Sequence, residues 1–507
     1  MSRSEPSSLL KRYLLELVVF VTGAVTMMVE ITGSRVLAPF LGSSIVTWTS
    51  LIGVILGSLS AGYWWGGALA DKRPSHGTLG VLLFFSGLGT ALIPLLKGVV
   101  LPLVSNVHDL RVSSLLASVL LFAPASVFLG TVPPYATRLM ITDVDTSGSA
   151  VGRLSAFSTL GSVAGTFLTG YVLLALVGNT ILLLLLAATL ILASFLVLSG
   201  KWLRFRQASL GAILVFAVVV VADERDARKH GHVTFDTTYN WYEIYDIPDF
   251  RVTSGDDPRP IRVLTTDKTA IQSAMYLDSD DLPLPYTRYY RLSEHFVPEA
   301  QRVLLIGGGA YTVARDFLRR NPEGRIDVAE IDPELTPVSK RHFGIQDDVR
   351  LRIFNEDGRT FINKSGDPYD AIYLDAYNDS FSMPYQLATK EMVERLWEHL
   401  NEKGVVIINF VSGVVGENAR FLEAEYATYA TVFSQVFVFR VDNLPLADWQ
   451  NVILVARKAT DQPPMMNVDP ELARYLSKRI RESVAPDATI LTDDFAPVDQ
   501  YLIKAAL

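Results

Sequence analysis

The stretch Arg302-Val-Leu-Leu-Ile-Gly-Gly-Gly309 joins a short apolar run to three consecutive glycines, and a helix is predicted over Ala310–Arg320. A strand, a glycine turn and a helix in this order are typical of one unit of a parallel α/β sheet. Glycines at such a turn let a ligand lie against the backbone and the helix N-terminus. The turn therefore predicts a nucleotide-type site at Gly307, Gly308 and Gly309.

The same strand-and-helix pattern repeats along the second half of the chain. Further strands are predicted over Arg325–Ala329, Val349–Phe354, Ala371–Leu374 and Gly404–Phe410. Strands that alternate with helices imply a doubly wound parallel sheet, which binds its ligands at the carboxyl ends of the strands.

Acidic residues stand at three of these predicted strand ends: Glu330, Asp357 (followed by Gly358) and Asp375. Glu330 has the spacing at which an acid accepts hydrogen bonds from ribose hydroxyls. Asp357 is placed to accept from an adenine amino group, and Asp375 is predicted to face the same crevice. Each acid alone could instead cap a helix, but the three together favour a bound nucleoside.

The chemistry of the crevice limits the ligand further. The chain has no Gly-x-x-x-x-Gly-Lys-Ser/Thr motif, so ATP hydrolysis is not expected. Acidic residues surround the position that the pyrophosphate of a dinucleotide would occupy. This favours an adenosine ligand with positive charge, such as S-adenosylmethionine or its decarboxylated form. The chain has no cysteine, and its seven histidines are scattered, so no metal site is expected.

The first half of the chain has the composition of a membrane domain. The whole chain is 50% hydrophobic and 19% charged, with a mean hydropathy of +0.28, which excludes a disordered or nucleic-acid-binding tail protein. Seven apolar runs are predicted to cross a membrane, and the last of them is short. The runs are Leu14–Leu37, Ile45–Ala70, Leu79–Leu96, Ser113–Val132, Val151–Leu176, Thr180–Leu198 and Ala208–Ala222. Pro133-Pro134 predicts the end of the fourth helix.

The sequence thus predicts an N-terminal polytopic α-helical membrane bundle of about seven helices and a C-terminal α/β half. The predicted domains are residues 1–222, a small antiparallel β-sheet in residues 223–299, and a Rossmann-like catalytic domain in residues 300–507. Ionisable residues near the apolar runs, Glu30, Arg35 and Asp71, either pair with one another or neighbours, or form a polar site in the bundle.

The basic residues of the first half predict its orientation in the membrane. Ten of them fall in alternate loops on one side and three on the other, which by the positive-inside rule places the N-terminus in the cytoplasm. With seven spans, the catalytic half of this multi-pass inner-membrane protein would face outward.

Several motifs of the second half resemble the spermidine synthase (aminopropyltransferase) family over about Thr234–Ala456. The motifs that carry the resemblance are Leu304-Leu-Ile-Gly-Gly-Gly309, Glu330-Ile-Asp-Pro333, Glu356-Asp-Gly358 and Tyr369-Asp-Ala-Ile-Tyr-Leu-Asp375. The match is closer to membrane-fused members of the family. Their helical half resembles Glu30-Ile-Thr-Gly-Ser-Arg35, Leu37-Ala-Pro39 and Gly66-Gly-Ala-Leu-Ala-Asp71, and their catalytic half resembles Asp375-Ala-Tyr377 and Thr492-Asp-Asp-Phe-Ala-Pro497.

The resemblance implies roles for several residues. Asp375 would deprotonate the attacking amine, Asn378 with Asp379 beside it would hold that amine, and Gln272 would contact the nucleoside. It places further acceptor-side residues near the acceptor mouth: Tyr239, Trp241, Tyr377 and Gln386, with Asp493-Asp494 folding back toward it. The chain departs from the family at Ala310-Tyr311, where soluble enzymes have an acid, and at Tyr286-Thr287-Arg288, where they have Tyr-His-Glu.

The function that the resemblance implies is a membrane-anchored transfer of an aminopropyl group from decarboxylated S-adenosylmethionine to an amine, with methylthioadenosine as product and no permanently bound cofactor. One alternative is a methyltransferase that uses S-adenosylmethionine. Another is a polyamine transporter or sensor with a non-catalytic synthase-like half. The expected partners are the lipid bilayer, an amine or polyamine acceptor and a second copy of the chain in a homodimer, with no nucleic acid.

Overall fold

A computed structural model gives the conformation of most of the chain. The described residues are 6–42, 44–104, 107, 109–141, 143, 147–198, 232–237, 239–252, 257–266, 271–364, 366–376, 383–480 and 488–504. The chain divides into two compact units, one of Met1–Gly231 with Phe235–Trp241 and one of His232–Thr234 with Tyr242–Leu507.

The first unit contains six helices that are long and apolar enough to cross a membrane, among the residues that the structure describes. They are α1 (Pro6–Leu41), α2 (Ile45–Lys72), α3 (His76–Val104), α4 (Leu110–Met140), α5 (Ser147–Leu168, extended by a π-turn at Thr169–Leu173) and α6 (Asn179–Val197). The prediction of a polytopic helical bundle is confirmed. The seventh predicted run, Ala208–Ala222, lies outside the described residues.

Glycines bring pairs of these helices into backbone contact. A Cβ atom on Gly161 of α5 would lie 2.0 Å from the carbonyl oxygen of Phe20 on α1. On α4, a Cβ atom on Gly130 would lie 2.5 Å from the carbonyl oxygen of Leu59 on α2. Small residues at helix interfaces allow this close packing, which is a main source of helix association in lipid.

The prediction that α4 ends at Pro133-Pro134 is wrong, because the helix continues to Met140. The Thr137 hydroxyl donates to the Pro133 carbonyl at 2.8 Å. Neighbouring helices and threonine hydroxyls let an apolar helix tolerate prolines that would end a helix in water.

Charged groups of the first unit are paired near the ends of its helices. Arg153 forms an ion pair with Glu16, with 2.5 Å between its Nη2 and Oε1 of the carboxylate, and Arg138 lies 3.3 Å from Asp71. Arg35 donates to the carbonyl oxygen of Thr237 at 2.9 Å, within the same unit, a contact that the sequence did not predict.

The second unit is built on a seven-stranded sheet with the order β10-β11-β9-β8-β5-β6-β7. Strands β7, β6, β5, β8 and β9 are parallel, and β11 and β10 are antiparallel at one edge. The strands are β5 (Arg302–Ile306), β6 (Arg325–Ala329), β7 (Leu351–Phe354), β8 (Tyr369–Leu374), β9 (Leu400–Ser412), β10 (Gln435–Arg440) and β11 (Gln450–Arg457). The prediction of a Rossmann-like sheet is confirmed, with β7 shorter and β9 longer than predicted.

Helices and the greater part of a second, smaller sheet complete this unit, and Phe235–Trp241 is grouped with the first unit. The helices are α7 (Ser293–Phe296), α8 (Thr312–Arg320), α9 (Leu335–His342), α10 (Gly358–Ile362), α11 (Lys390–Glu398), α12 (Arg420–Ala430), α13 (Pro470–Ser477) and α14 (Val498–Lys504). The predicted small sheet is present, with strands in the order β1 (Val233–Asp236), β2 (Trp241–Phe250), β3 (Arg259–Thr265) and β4 (Ser273–Tyr276). The pairs β2–β3 and β3–β4 are antiparallel.

The register of the large sheet aligns the carboxyl ends of its central strands. Ile306, the last residue of β5, pairs with Ala329 at the end of β6 and with Leu374 at the end of β8. Alternate residues of these strands enter two separate apolar clusters, because successive side chains of a strand point to opposite faces. The residues that follow the three strands therefore meet at one edge of the sheet.

Candidate functional site

The glycine turn after β5 is packed directly against the end of β8. Gly307 has a φ of +93°, and a Cβ atom there would lie 2.3 Å from the carbonyl oxygen of Asp375. The Gly307 amide donates to Ala329 at 2.9 Å, and the Asp375 amide donates to Ile306 at 2.9 Å. Glycine is therefore required at this position by both conformation and space.

The buried carboxylate of Glu330, after β6, is held by three backbone amides. Its Oε2 accepts from Gly308 at 2.7 Å and from Gly309 at 3.2 Å, and its Oε1 accepts from Asp332 at 2.9 Å. Burial raises the pKa of Glu330 and the nearby Asp332 raises it further, while the three amides oppose that shift. A carboxylate oxygen accepts about two hydrogen bonds, so Oε1 retains capacity for a ligand hydroxyl.

Two tyrosines surround this carboxylate. Tyr311 has a left-handed φ of +58°, is fully buried, and its hydroxyl lies 2.7 Å from the Thr336 hydroxyl. The buried Tyr242 hydroxyl, from β2 of the small sheet, is hydrogen-bonded to Asp332. Burial raises the pKa of the Tyr242 phenol, and the Asp332 carboxylate adds to this shift. Tyr242 was not among the residues predicted from the sequence.

The small sheet also contributes Gln272 and Ser273 to this edge. The Ser273 hydroxyl accepts from the amide of Ala310 at 3.1 Å, which brings β4 against the glycine turn. The side-chain Oε1 of Gln272 is buried and has no hydrogen-bond partner among the residues that the structure describes. A buried carbonyl without a donor is unfavourable, so this atom is suited to accept from a ligand.

Asp357 and Gly358 form the start of α10. The Asp357 Oδ1 accepts from the Thr360 amide at 2.9 Å and lies 3.3 Å from the Thr360 hydroxyl, so Asp357 caps this helix. Gly358 is buried, and a Cβ atom there would lie 2.4 Å from the Ile306 side chain. The helix-cap alternative therefore applies to Asp357, and it does not exclude a ligand contact through the second carboxylate oxygen.

The partly buried Asp375 carboxylate lies among side chains from two other segments. The Asn409 amide group of β9 lies 3.5 Å from Oδ1, and the hydroxyls of Tyr286 and Tyr290 are hydrogen-bonded to the carboxylate. Burial raises the pKa of Asp375 to about 7, although the three hydrogen bonds oppose the shift. A carboxylate with such a pKa can act as a general base near neutral pH.

Tyr377, Asn378 and Asp379 lie outside the described residues. Tyr239 and Trp241 belong to the segment Phe235–Trp241 of the first unit.

Two further acceptor-side predictions fall in one polar network around Arg359. Arg359 donates to the Gln386 carbonyl at 3.1 Å and to the Asp493 carboxylate at 2.9 Å, and Asp493 also accepts from Thr389 at 2.6 Å. Asp494 is exposed. Gln386 and Asp493 therefore take part in local packing of the second unit.

Within the described part of the chain, no group of three or more His, Cys, Asp and Glu side chains could hold a metal ion. The polar groups at the sheet edge are carboxylates, a glutamine carbonyl and hydroxyls. Such groups match the hydroxyl and amino donors of a nucleoside.

The chain is similar in sequence to known proteins. The spermine/spermidine synthase domain matches residues 290–460. A polyamine aminopropyltransferase of Vibrio vulnificus is 29% identical over 203 residues, which cover 39% of this chain and 63% of that protein. Polyamine aminopropyltransferase 1 of Streptomyces coelicolor is 23% identical over 506 residues, covering 92% of this chain and 88% of the relative.

A probable spermidine synthase from Corynebacterium glutamicum is similar in structure, with 22% identity and a TM-score of 0.43, over 52% of this chain and 97% of the other. The domain match and the sequence relatives support the spermidine synthase superfamily for residues 290–460, a stretch that apolar helices precede in the chain.

Proposed function

We propose that the protein is a membrane-anchored aminopropyltransferase that uses decarboxylated S-adenosylmethionine as donor and an amine as acceptor. The observation that carries the proposal is the half-buried Asp375, whose pKa is raised to about 7 by burial and which lies beside the glycine turn. This turn also holds Glu330, so one sheet edge combines a base with acceptors for a nucleoside.

The reaction is a single displacement. The nitrogen of the acceptor attacks the carbon next to the sulfonium, a C–N bond forms, and the C–S bond breaks with its electron pair moving to sulfur. Methylthioadenosine leaves as a neutral thioether, and the proton released by the new ammonium group passes to Asp375. Holding donor and acceptor in line supplies much of the rate enhancement in such a step.

The donor is held through its nucleoside. Glu330 accepts from the ribose hydroxyls, Asp357 from the adenine amino group, and the Gln272 carbonyl from a further donor of the nucleoside. Gly307, Gly308, Gly309 and Gly358 give the ligand room at the backbone. The donor is a substrate, and we expect no permanently bound cofactor.

The acceptor is an amine, and a lipid-embedded amine would explain the fused bundle. Tyr239, Trp241, Tyr377, Asn378, Asp379 and Gln386 form the proposed acceptor side. Aromatic faces and carboxylates suit a cation with an apolar stem. We further propose that the protein is a homodimer. Light scattering of the detergent-solubilised protein measures its oligomeric state.

For the membrane, we propose a cytoplasmic N-terminus and an outward-facing synthase half. This orientation requires that Ala208–Ala222 crosses the bilayer as a seventh span. The donor or the acceptor would then arrive through the bundle. A reporter fused after Leu507 tests the orientation, since cytoplasmic fluorescence without periplasmic phosphatase activity would refute it.

The test of the activity is release of methylthioadenosine by the purified full-length protein. The protein in detergent is incubated with decarboxylated S-adenosylmethionine and either soluble polyamines or lipid extract, with Asp375→Asn as control. Release of adenosylhomocysteine from intact S-adenosylmethionine would establish the methyltransferase alternative instead. No turnover with either donor, together with polyamine flux in proteoliposomes that survives Asp375→Asn, would establish the transporter alternative.

A further inference from the structure

Tyr311, which follows the glycine turn and precedes α8, has an unusual backbone conformation. Its φ is +58° and its ψ is 18°, and within the described part of the chain it is the only non-glycine residue with a positive φ. Glycine adopts this left-handed conformation easily, whereas a residue with a Cβ atom is strained there. Strained residues cluster at functional sites, where the surrounding structure holds them. A large side chain at a position that suits glycine indicates that the side chain itself has a role.

The side chain of Tyr311 connects the glycine turn to α9. Its ring packs against Gly308, since a Cβ atom on Gly308 would lie 2.9 Å from Cε1 and 3.0 Å from Cζ of the ring. The Tyr311 amide donates to the Gly308 carbonyl at 2.7 Å, and the Tyr311 hydroxyl lies 2.7 Å from that of Thr336 on α9. The ring is fully buried. Tyr311 therefore fixes Gly308 through a rigid ring that is anchored at its backbone and at its hydroxyl.

Gly308 in turn fixes the carboxylate of Glu330. The Gly308 amide donates to Oε2 of Glu330 at 2.7 Å, whereas the Gly309 amide donates to the same atom at 3.2 Å. A Cβ atom on Gly308 would also lie 3.1 Å from this Oε2. The Tyr311 ring and the Glu330 carboxylate thus press on the same glycine, so a side chain at position 308 would push them apart.

Gly309, the second donor to Oε2, has a separate support from the small sheet. A Cβ atom on Gly309 would lie 2.6 Å from the Oγ atom of Ser273, which also accepts from the Ala310 amide at 3.1 Å. The two amides that bind Glu330 are therefore held by different elements. Gly308 is held from α9 through Tyr311, and Gly309 is held from β4 through Ser273.

We propose that Tyr311 is a positioning residue for the donor, which holds the Gly308 amide on Oε2 of Glu330 and so keeps the remaining acceptor capacity of this carboxylate directed at the ribose hydroxyls. The inference deepens the proposed function and rests on it, because it assumes that Glu330 binds a ribose. Tyr311 does not touch the ligand and acts through Gly308 and Glu330. Binding of the ribose hydroxyls therefore depends on Tyr311, whereas binding of the base does not.

The test compares two nucleosides that differ only in the ribose hydroxyls. Adenosine and 2′,3′-dideoxyadenosine are titrated calorimetrically into the full-length protein in detergent, and the ratio of the two Kd values measures the contribution of the hydroxyls. Hydrogen bonds to a carboxylate are among the stronger ones in proteins, so we expect the wild type to bind adenosine at least about tenfold more tightly. Tyr311→Gly permits the backbone conformation but removes the ring, and we expect it to reduce the ratio to about two.

A role in packing alone predicts a different result. It would make Tyr311→Gly less stable and weaken the binding of both nucleosides by the same factor. That result would overturn the proposal, as would an unchanged ratio in folded Tyr311→Gly or a wild-type ratio near one.

A double variant tests whether Tyr311 acts through Glu330. Glu330→Gln should lower the ratio by itself. The addition of Tyr311→Gly should lower it no further, because both changes act on one carboxylate. A further fall in the double variant would contradict the proposal.

Tyr289→Phe is the matched control. Tyr289 lies on the 3₁₀ helix Pro285–Leu292, is buried, and its hydroxyl donates to the Arg440 carbonyl at 3.0 Å. Its loss removes the hydrogen bond of a buried phenol to a different partner, so the ratio should keep its wild-type value. An equal fall of the ratio in Tyr289→Phe would overturn the proposal.

Two milder variants serve if Tyr311→Gly does not fold. Tyr311→Phe and Thr336→Val keep the ring and remove its anchor to α9. Each should lower the ratio about two- to threefold, and unchanged ratios in both would overturn the proposal.

Failure of this inference and failure of the proposed function give different results. A wild type that prefers adenosine, loses that preference in Tyr311→Gly and releases no methylthioadenosine with any amine would support the inference and refute the transferase. A wild type that releases methylthioadenosine, with an unchanged ratio in folded Tyr311→Gly, would overturn the inference alone.

Discussion

Replacement of Asp375 by asparagine is expected to separate the chemical role of this residue from its effect on stability. Asparagine cannot accept the proton of the acceptor amine, so methylthioadenosine release should fall by about 10²–10⁴-fold. Donor affinity should remain, because the proposed nucleoside contacts lie at Glu330, Asp357 and Gln272. Turnover and calorimetric donor binding of the same preparation check both parts.

The stability effect has a sign that follows from the raised pKa. Burial raises the pKa of Asp375 from 3.8 to about 7. Below pH 4 the carboxyl is neutral in the folded and unfolded chain, and its contribution to stability is fully present. Between about pH 4 and pH 7 the unfolded chain ionises first, so stability is lost as the pH rises through the folded-state pKa. A shift of about 3 units corresponds to about 4 kcal/mol.

Asparagine stays neutral, so the variant does not lose this stability. The free energy of unfolding of Asp375→Asn minus that of the wild type should therefore rise by about 4 kcal/mol between pH 4 and pH 8. Scanning calorimetry of the full-length proteins in detergent across this range measures it.

Asp370→Asn is the matched control, since Asp370 lies at the opposite end of β8 and accepts from the amides of Gln301 and Arg302 at 2.9 Å each. It should keep turnover. A stability difference between Asp375→Asn and wild type that does not change with pH would refute the reasoning about burial, and full activity would refute the assignment of the base.

Three further variants test the donor site. Glu330→Gln replaces an acceptor of three amides by a group with one acceptor oxygen, so donor affinity measured by calorimetry should fall about 10–100-fold; an unchanged affinity would contradict the ribose assignment. Gln272→Met removes a carbonyl that has no partner in the described part of the chain, so donor affinity should fall while the melting temperature does not, and a lowered melting temperature would point to a structural role. Asp357→Ser keeps a helix cap and Asp357→Ala does not. If both variants bind the donor like wild type, Asp357 is only a cap. Weakened donor binding in the stable serine variant would support the adenine contact.

The central part of the sheet edge could be predicted because it depends on short stretches of sequence at the strand ends. Each strand ends where an apolar run meets a glycine or an acid, and parallel strands place their carboxyl ends on one edge. The structure accordingly brings Gly307, Glu330 and Asp375 to adjacent strand ends. The family motifs in the sequence pointed to the same residues.

The side chains that surround these residues could not be predicted in the same way. Tyr242, Tyr290 and Asn409 come from segments distant in sequence, and their contacts depend on how the small sheet and the 3₁₀ helix pack on the large sheet. One signal was available, since Asn409 is a lone amide in the otherwise apolar run Val405–Phe410. A polar side chain in a buried strand usually has a specific partner.

The end of one helix in the first unit could not be predicted either, because it depends on which helices pack beside it. The rule that prolines end helices holds where water surrounds the chain, and it failed at Pro133-Pro134, where other helices pack alongside.

The contact between Gly307 and Asp375 bears on how this scaffold could be re-engineered by directed evolution. Any side chain at position 307 would collide with the backbone of Asp375, the proposed base. A library that randomises the glycine turn to change donor preference would therefore displace the proposed base, Asp375, in most of its members. Randomising Tyr242 and Gln272 leaves the Asp375 backbone untouched, so altered donor preference is more readily selected from the small sheet than from the turn.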